Sequence, residues 1–297
     1  MYNHISLRFV TYFRIVLDKS LIVELSVYIK ENVLSKAALE CTLKVIEISE
    51  GHYTAWYTGL RVNFSNYLRS FRRKVLLSFK DKSLLENELE FIKGFTVETP
   101  KNYQLWQHRQ IIVERIGDHE VFLKDLEDTK VQLSLDAKNI HCWQYRQWIV
   151  RKLMGDNDVL RSELKYTELL LKDDVYNNSA WNHRYFLIKA SESYKANKDQ
   201  CLLDEFNAIL QFLDKSYEDN ECFWNYLTVI VQDCSFLKDT VIPRLSQLIG
   251  SPEDTENYLY LRFLLRTNIT EKNSNICEKL KELHPINRAL WNGLCQN

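Results

Sequence analysis

One motif recurs at a nearly constant spacing through the middle of the chain, and it constrains the fold more than any other sequence feature. Asparagine, tryptophan and arginine occupy matching positions in "KNYQLWQHR", "KNIHCWQYR" and "YNNSAWNHR". The three tryptophans, Trp106, Trp143 and Trp181, follow one another every 37 to 38 residues. A period of roughly 35–45 residues is typical of helix-turn-helix repeats. The spacing therefore predicts a stack of helical hairpins.

The sequence between the tryptophans has the same order of parts in each copy. An amphipathic run such as "LRSELKYTELLLKDD" comes first, and a polar turn such as "DDVYNN" comes next. A second helix then carries the tryptophan, with Asn178 or Ser179 expected to cap its first turn in the third copy. A degenerate copy is expected around "ENYLYLRFLL". The series of tryptophans continues in both directions with Trp56, Trp224 and Trp291.

Composition supports an all-α fold. Only 7 Gly and 4 Pro occur in 297 residues, which disfavours a β protein rich in turns. The predicted organisation is an N-terminal helical segment over residues 1–35 and a repeat domain over residues 36–297. Arg8, Arg14 and Asp18 interrupt the apolar N-terminus. We therefore expect an amphipathic helix there and no transmembrane segment.

Charge and cysteine usage exclude several classes of partner and site. The chain has 39 basic and 40 acidic residues, so it lacks the basic excess of a nucleic-acid-binding protein, and any anion site must be local. The seven cysteines and seven histidines form no CxxC or HExxH pattern. We therefore expect no metal bound by this chain. Scattered cysteines also predict reduced thiols and a cytoplasmic protein.

The repeat by itself explains its tryptophan and arginine. A large aromatic side chain at one point of a helical hairpin packs between neighbouring hairpins. Arg109, Arg146 and Arg184 are each expected to pair with an acidic side chain or a helix-end carbonyl of an adjacent repeat. Neither role requires the residue to take part in catalysis or to bind a ligand.

The lysines need a different explanation. Lys101 and Lys138 stand five residues before Trp106 and Trp143, and Tyr176 takes this position in the third copy. The position lies in the turn, where the dipole and amides of the second helix favour an anion. An ammonium group there would complete a local phosphate site. The alternative is a solvated lysine in a turn.

The segments "AKNIHCWQYRQW" and "VYNNSAWNHRYF" resemble the repeat of protein prenyltransferase α subunits, in which an acidic residue precedes Lys-Asn-Tyr and Trp-x-x-Arg. The resemblance covers about residues 36–230. It implies a crescent-shaped right-handed superhelix of antiparallel helical hairpins wrapped around a β subunit. It also implies transfer of a prenyl group from farnesyl or geranylgeranyl diphosphate to the cysteine of a C-terminal CaaX motif. Zinc and magnesium would serve the complex, with zinc on the β subunit.

The resemblance also assigns site residues. Lys138 would approach the diphosphate and stabilise the charge that develops on it. Asn177 matches an asparagine near the same site, with helix capping as the alternative. His141 matches a position near the carboxylate of the peptide, with a partly buried turn histidine as the alternative. The sequence departs from the family at Ile140, where tyrosine is usual.

The sequence leaves three functions open. The first is the α subunit of a farnesyltransferase or type I geranylgeranyltransferase. The second is the α subunit of Rab geranylgeranyltransferase, and the third is a non-catalytic helical-repeat scaffold. The match at Lys138 favours the first. The scaffold is disfavoured because the tetratricopeptide signature is absent from the sequence.

Overall fold

In a computed structural model of the chain, every described element is a helix. The described residues are 20–21, 23–50, 61–212, 219–234, 237–251, 255–268 and 273–295. Trp56 and the predicted helix at residues 1–19 lie outside them. Within these ranges there is no β-strand, which confirms the predicted all-α class.

The helices are numbered in chain order, with α1 at residues 23–30. The helices of the first half are α2 (Lys36–Glu50), α3 (Arg61–Ser78), α4 (Lys82–Glu98), α5 (Tyr103–Ile116), α6 (His119–Leu135), α7 (Ile140–Lys152) and α8 (Asn157–Asp173). Those of the second half are α9 (Asn178–Ala190), α10 (Glu192–Ala196), α11 (Lys198–Ile209), α12 (Glu221–Asp233), α13 (Leu237–Ile249), α14 (Tyr258–Thr267), α15 (Asn273–Leu283) and α16 (Arg288–Cys295).

The chain divides into two compact units, Met1–Leu123 and Lys124–Asn297. In the first unit α2 packs on α3 and α4 packs on α5. In the second unit α8 packs on α9, and the helices that carry the motif, α7, α9, α12 and α14, contact one another in succession. These pairings confirm the predicted helical hairpins. The domain boundary between residues 35 and 36 stays a prediction.

The motif asparagine is the N-cap of each second helix. Asn139 accepts hydrogen bonds from two backbone amides of α7, and Asn177 does the same for α9. The sequence prediction of Asn178 or Ser179 as the cap is wrong, because α9 begins at Asn178 and the cap precedes the first helical residue. The equivalent caps elsewhere are Asn102, Asn220 and Asn257.

Each motif tryptophan fixes its own turn as well as filling the core. The indole Nε1 of Trp143 donates to the Ala137 carbonyl at 2.9 Å, and that of Trp181 donates to the Val175 carbonyl at 2.8 Å. The Trp181 ring packs against Phe212, Phe223 and Tyr226. The predicted packing role of the tryptophan is confirmed.

Each motif arginine whose partners are described joins three helices through buried polar groups. Arg146 on α7 pairs with Glu163 on α8 through Nε at 2.8 Å and Nη2 at 2.5 Å. Its Nη1 donates to the Leu126 carbonyl and to the Thr129 hydroxyl on α6. Glu163 in turn bonds the imidazole of His183 on α9 at 3.0 Å. The prediction that Arg146 pairs across repeats is confirmed.

The same arrangement occurs at other repeats. Arg184 pairs with Glu205 at 2.6 and 2.7 Å, and Glu205 accepts from the Tyr226 hydroxyl. In the first unit Arg72 pairs with Glu88, which bonds a histidine, His108. The acid therefore has a histidine or a tyrosine as its second partner. His108, His183 and Tyr226 each stand directly before the arginine position of their copy, so this partner can be read from the motif. The acid that it bonds lies outside the motif, 20 or 21 residues earlier in the chain.

The later copies have leucine at motif positions where earlier copies have arginine or tryptophan. Leu227 on α12 and Leu264 on α14 stand where earlier copies have arginine, and both are fully buried. Leu261 replaces the tryptophan of the copy that Asn257 caps. The degenerate copy predicted around "ENYLYLRFLL" is confirmed as α14.

Two further sequence expectations concern cysteines and membranes. Among the cysteines with described side chains, Cys41, Cys142, Cys201, Cys222 and Cys234 are reduced thiols. Cys277 takes part in a disulfide bond, so the prediction of reduced thiols throughout is wrong at that residue.

None of the helices in the described ranges combines the length and apolar character that a membrane crossing requires.

Candidate functional site

Lys138 lies in a short turn whose backbone is held by hydrogen bonds. The turn joins α6 to α7, and its Asn139 amide donates to the Asp136 carbonyl at 3.1 Å. The amide of Lys138 donates to the Asp136 carboxylate at 3.2 Å. The Ala137 carbonyl faces inward to the Trp143 indole. Because the backbone faces inward, the Lys138 side chain is exposed to solvent at the N-terminal end of α7.

His141 lies beside this lysine, in the first turn of α7. Its amide donates to the Asn139 side chain at 3.0 Å, and its side chain is half-buried. The structure thus brings Lys138 and His141 together at one helix terminus. The Asn139 cap occupies the amides of His141 and Cys142. The helix therefore contributes its dipole to a bound anion, while the lysine supplies the full charge.

Neighbouring repeats extend this edge of the second unit. Burial raises the pKa of the Cys222 thiol on α12, Glu221 raises it further, and the positive charge of Lys138 opposes the shift. The thiol donates to the Tyr176 carbonyl at 3.2 Å, and the Tyr176 hydroxyl donates to Asp219 at 2.7 Å. Lys138, Tyr176 and Cys222 therefore lie near one another at the same end of successive hairpins. Sequence analysis missed the contacts of Asp219 and Cys222, which occupy the positions of Lys138 and His141 in the copy that Asn220 caps.

Asn177 lies buried at the N-terminus of α9, where its side chain caps the helix. Its side chain is 1% exposed, and its Oδ1 accepts from the amides of Ser179 and Ala180. Its Nδ2 donates to the Ala137 carbonyl at 3.4 Å. Both polar atoms thus have protein partners, and a contact with substrate stays a prediction.

Lys101 has the same local setting in the first unit. It is exposed, precedes the cap Asn102, and comes directly after Pro100, whose carbonyl accepts from the Trp106 indole at 2.8 Å. The first unit also retains the tyrosine of the Lys-Asn-Tyr motif, Tyr103, which is 61% exposed. Local geometry alone does not choose between the two lysines.

The described residues contain no cluster of three His, Cys, Asp or Glu side chains that could hold a metal ion. These residues therefore do not fit a zinc site. The assignment of zinc and magnesium to the complex stays a prediction.

Three stretches of the chain match the family model described as "Protein prenyltransferase alpha subunit repeat": residues 85–116, 122–153 and 160–191. Together these stretches cover less than half of the chain. The second matched stretch contains Lys138 and His141, and the third contains Asn177.

Similar proteins are geranylgeranyl transferase type-2 subunits alpha. That of Candida albicans is 27% identical over 248 residues, which are 79% of this chain and 62% of the relative. The human one is 25% identical over 123 residues, 39% of this chain. The match spans only 19% of the human protein's length.

A solved structure shows the same fold. A chain of the Candida albicans protein geranylgeranyltransferase-I complexed with GGPP superposes with a TM-score of 0.73. The alignment covers 94% of this chain and 90% of that chain, at 24% identity. This chain therefore shares its fold with that chain. A likeness at this level of identity shows the fold alone and leaves the type of enzyme open.

Proposed function

We propose that this chain is the α subunit of a heterodimeric protein prenyltransferase of the farnesyl or type I geranylgeranyl class, acting in the cytoplasm. The observation that carries the proposal is an exposed lysine, Lys138, held on a rigid turn inside a matched prenyltransferase repeat. The prenyl substrate is a diphosphate, and a cation at a helix N-terminus suits that group.

The proposed role of Lys138 depends on where charge develops. In the transfer, the bond between the prenyl carbon and the bridging oxygen breaks, and the diphosphate leaves with the electron pair. A new bond forms between that carbon and the sulfur of the cysteine thiolate of a CaaX protein, which has already lost its proton to solvent. A cation placed near the departing diphosphate gains interaction energy as the negative charge grows, so it lowers the barrier more than it tightens substrate binding.

Apolar side chains around the lysine support a protein partner. Leu135 is 67% exposed and Ile140 is 62% exposed, and they lie three and two residues from Lys138. Large exposed apolar groups at one place on a surface are typical of an interface. We infer that the β subunit covers them and supplies the rest of the site.

A second candidate is the α subunit of Rab geranylgeranyltransferase. It is favoured by the sequence comparisons, in which the similar proteins are type-2 alpha subunits. The type I assignment is favoured by the Lys138 match, and the fold is common to both.

Co-expression with candidate β chains separates these assignments. Each complex is assayed with farnesyl and geranylgeranyl diphosphate on peptides ending in Ser, Met or Leu, and on a Rab protein. Transfer to the peptides supports the proposal. Transfer to the Rab protein alone supports the second candidate. Lack of a stable complex with every β chain supports a non-catalytic scaffold.

The lysine itself is tested by alanine replacement in the active complex. Lys138→Ala should lower kcat by about 10²–10³, the usual cost of losing one preorganised donor, with little change in diphosphate affinity. An arginine at 138 keeps the charge but changes reach, so partial rescue is expected. The measurement is steady-state transfer combined with equilibrium binding of the diphosphate.

Lys101→Ala is the matched control, since Lys101 occupies the same motif position one repeat earlier. Lys101→Ala should lower kcat far less than Lys138→Ala does. A larger loss with Lys101→Ala would place the diphosphate at the earlier repeat. Near wild-type turnover for both variants would identify the two lysines as solvated turn residues.

A further inference from the structure

The peptide unit that precedes Lys138 is held at both of its polar ends. Its carbonyl, that of Ala137, accepts from the Trp143 indole at 2.9 Å and from Asn177 Nδ2 at 3.4 Å. Its amide, that of Lys138, donates to the Asp136 carboxylate at 3.2 Å. A peptide plane fixed on both sides fixes the Cα atom attached to it, and so fixes where the lysine side chain starts.

Of the side chains that hold this peptide unit, Asn177 is the one that belongs to the next repeat. Its oxygen caps α9 through the amides of Ser179 and Ala180, and its nitrogen reaches back to Ala137. With 1% exposure, the side chain has little freedom to rotate. It therefore ties the start of α9 to the turn that carries Lys138.

We infer that Asn177 is a positioning residue for Lys138: it holds the Ala137 carbonyl and thereby sets the lysine at the distance that the leaving diphosphate requires. This inference rests on the proposed function. It assigns Asn177 an indirect role instead of contact with the substrate. A small displacement of a positioned group lowers the rate of reaction without a comparable loss of binding.

The chain offers a closely matched control one repeat later. Asn220 caps α12, and its Nδ2 donates to the Val175 carbonyl at 3.2 Å. That carbonyl also accepts from the Trp181 indole, and the next amide in the chain, that of Tyr176, donates to the Asp174 carboxylate. The two arrangements differ in the residue after the clamped carbonyl. One turn presents a lysine, and the other presents an uncharged tyrosine.

The test uses serine at both positions in the complex with the β subunit. Serine keeps a cap acceptor but is too short to reach the carbonyl of the preceding turn. Asn177→Ser should lower kcat at least tenfold with KM for the diphosphate nearly unchanged. Asn220→Ser should lower kcat less than threefold. Thermal unfolding should show similar losses of stability for both, which separates positioning from folding.

A double-mutant cycle decides whether Asn177 acts through Lys138. In the Lys138→Ala background, Asn177→Ser should cause no further loss of kcat, since the group that it positions is gone. Additive losses, or equal losses for Asn177→Ser and Asn220→Ser, would overturn the inference. If Lys138→Ala alone retains full activity, the proposed role of Lys138 fails, and the inference falls with it. Should Asn177→Ser not fold, Asn177→Asp keeps a stronger cap, lacks the amide donor, and is tested in the same cycle with Asn220→Asp.

Discussion

At the scale of single residues, the repeat is held by buried ion pairs whose members come from different helices. Arg146 and Glu163 are 0% and 1% exposed, and His183 is fully buried beside them. Burial disfavours the Glu163 charge, but hydrogen bonds from His183 and the nearby Arg146 charge outweigh it and hold the pKa of Glu163 below its usual value. A carboxylate in this position depends on its partners, because it has no access to water.

Removal of Arg146 should therefore lower the free energy of unfolding substantially. Arg146→Met leaves a buried carboxylate without its main partner, and we expect a loss of about 3–5 kcal/mol in the free energy of unfolding, measured by urea denaturation. The double variant Arg146→Met/Glu163→Leu should recover part of that loss. As a control, Arg161→Ala breaks a pair whose side chains are 76% and 86% exposed, and should cost no more than about 0.5 kcal/mol. Equal losses for the two single variants would contradict a special role for the buried pair.

The buried histidine makes stability depend on pH in a defined direction. Burial lowers the pKa of His183 from its ordinary 6.5, although the bond to Glu163 opposes the shift. The folded state therefore favours the neutral ring. The contribution of His183 to the free energy of unfolding is complete above pH 6.5. It is lost as the pH falls below 6.5, because the unfolded state then binds a proton that the folded state does not.

His183→Gln should reduce the slope of unfolding free energy against pH between about 6.5 and 5, by up to about 1.4 kcal/mol per pH unit. The measurement is urea denaturation at half-unit pH intervals. An unaltered slope in His183→Gln would show that His183 is protonated to the same extent in the folded and unfolded states over this pH range, against the shift inferred here.

At the scale of helices, α10 is attached differently from its neighbours. This five-residue helix has no buried side chain. The Tyr194 hydroxyl donates to Asp233, the last residue of α12, at 2.5 Å, and the Tyr185 hydroxyl donates to the same oxygen at 3.0 Å. Burial, together with the bond to Asp233, raises the pKa of Tyr194 to about 12, so the hydroxyl stays a donor at neutral pH.

Tyr194→Phe should accordingly loosen α10 without unfolding the repeat. Hydrogen exchange followed by mass spectrometry should show faster exchange in residues 192–196 and unchanged exchange in α12. Tyr185→Phe, which leaves the Tyr194 bond intact, should affect α10 less. Unchanged protection of α10 in Tyr194→Phe would show that the backbone alone holds it.

At the scale of the whole molecule, the proposal requires a second chain. Purified alone, this chain should transfer no prenyl group to peptide substrates. Leu135→Lys and Ile140→Lys should weaken co-purification with the β subunit, because they place charge at the exposed apolar positions beside Lys138. Leu248→Lys, at a 53% exposed position on α13, is the control. Prenyl transfer by the isolated chain would refute the need for a partner.

The sequence by itself determined the secondary structure and the repeat. Tryptophans every 37 to 38 residues, with few Gly and Pro, predicted helical hairpins, and the structure contains them. The pairing of Arg146 and the degenerate copy at α14 were also predictable. These features are local, since they depend on spacing along one helix or on the type of residue at one motif position.

Only the tertiary structure decided which residues meet. Glu163 and His183 are 20 residues apart, and the motif contains His183 but not Glu163. The sequence left Asn177 as either a residue near the substrate or a helix cap. The structure shows that it caps α9 and that its nitrogen bonds Ala137 of the preceding repeat, 40 residues earlier. The cap at Asn177, and not at Asn178 or Ser179, depends on where α9 begins. Such contacts arise from the stacking of one hairpin on the next, which brings residues distant in sequence within hydrogen-bond distance.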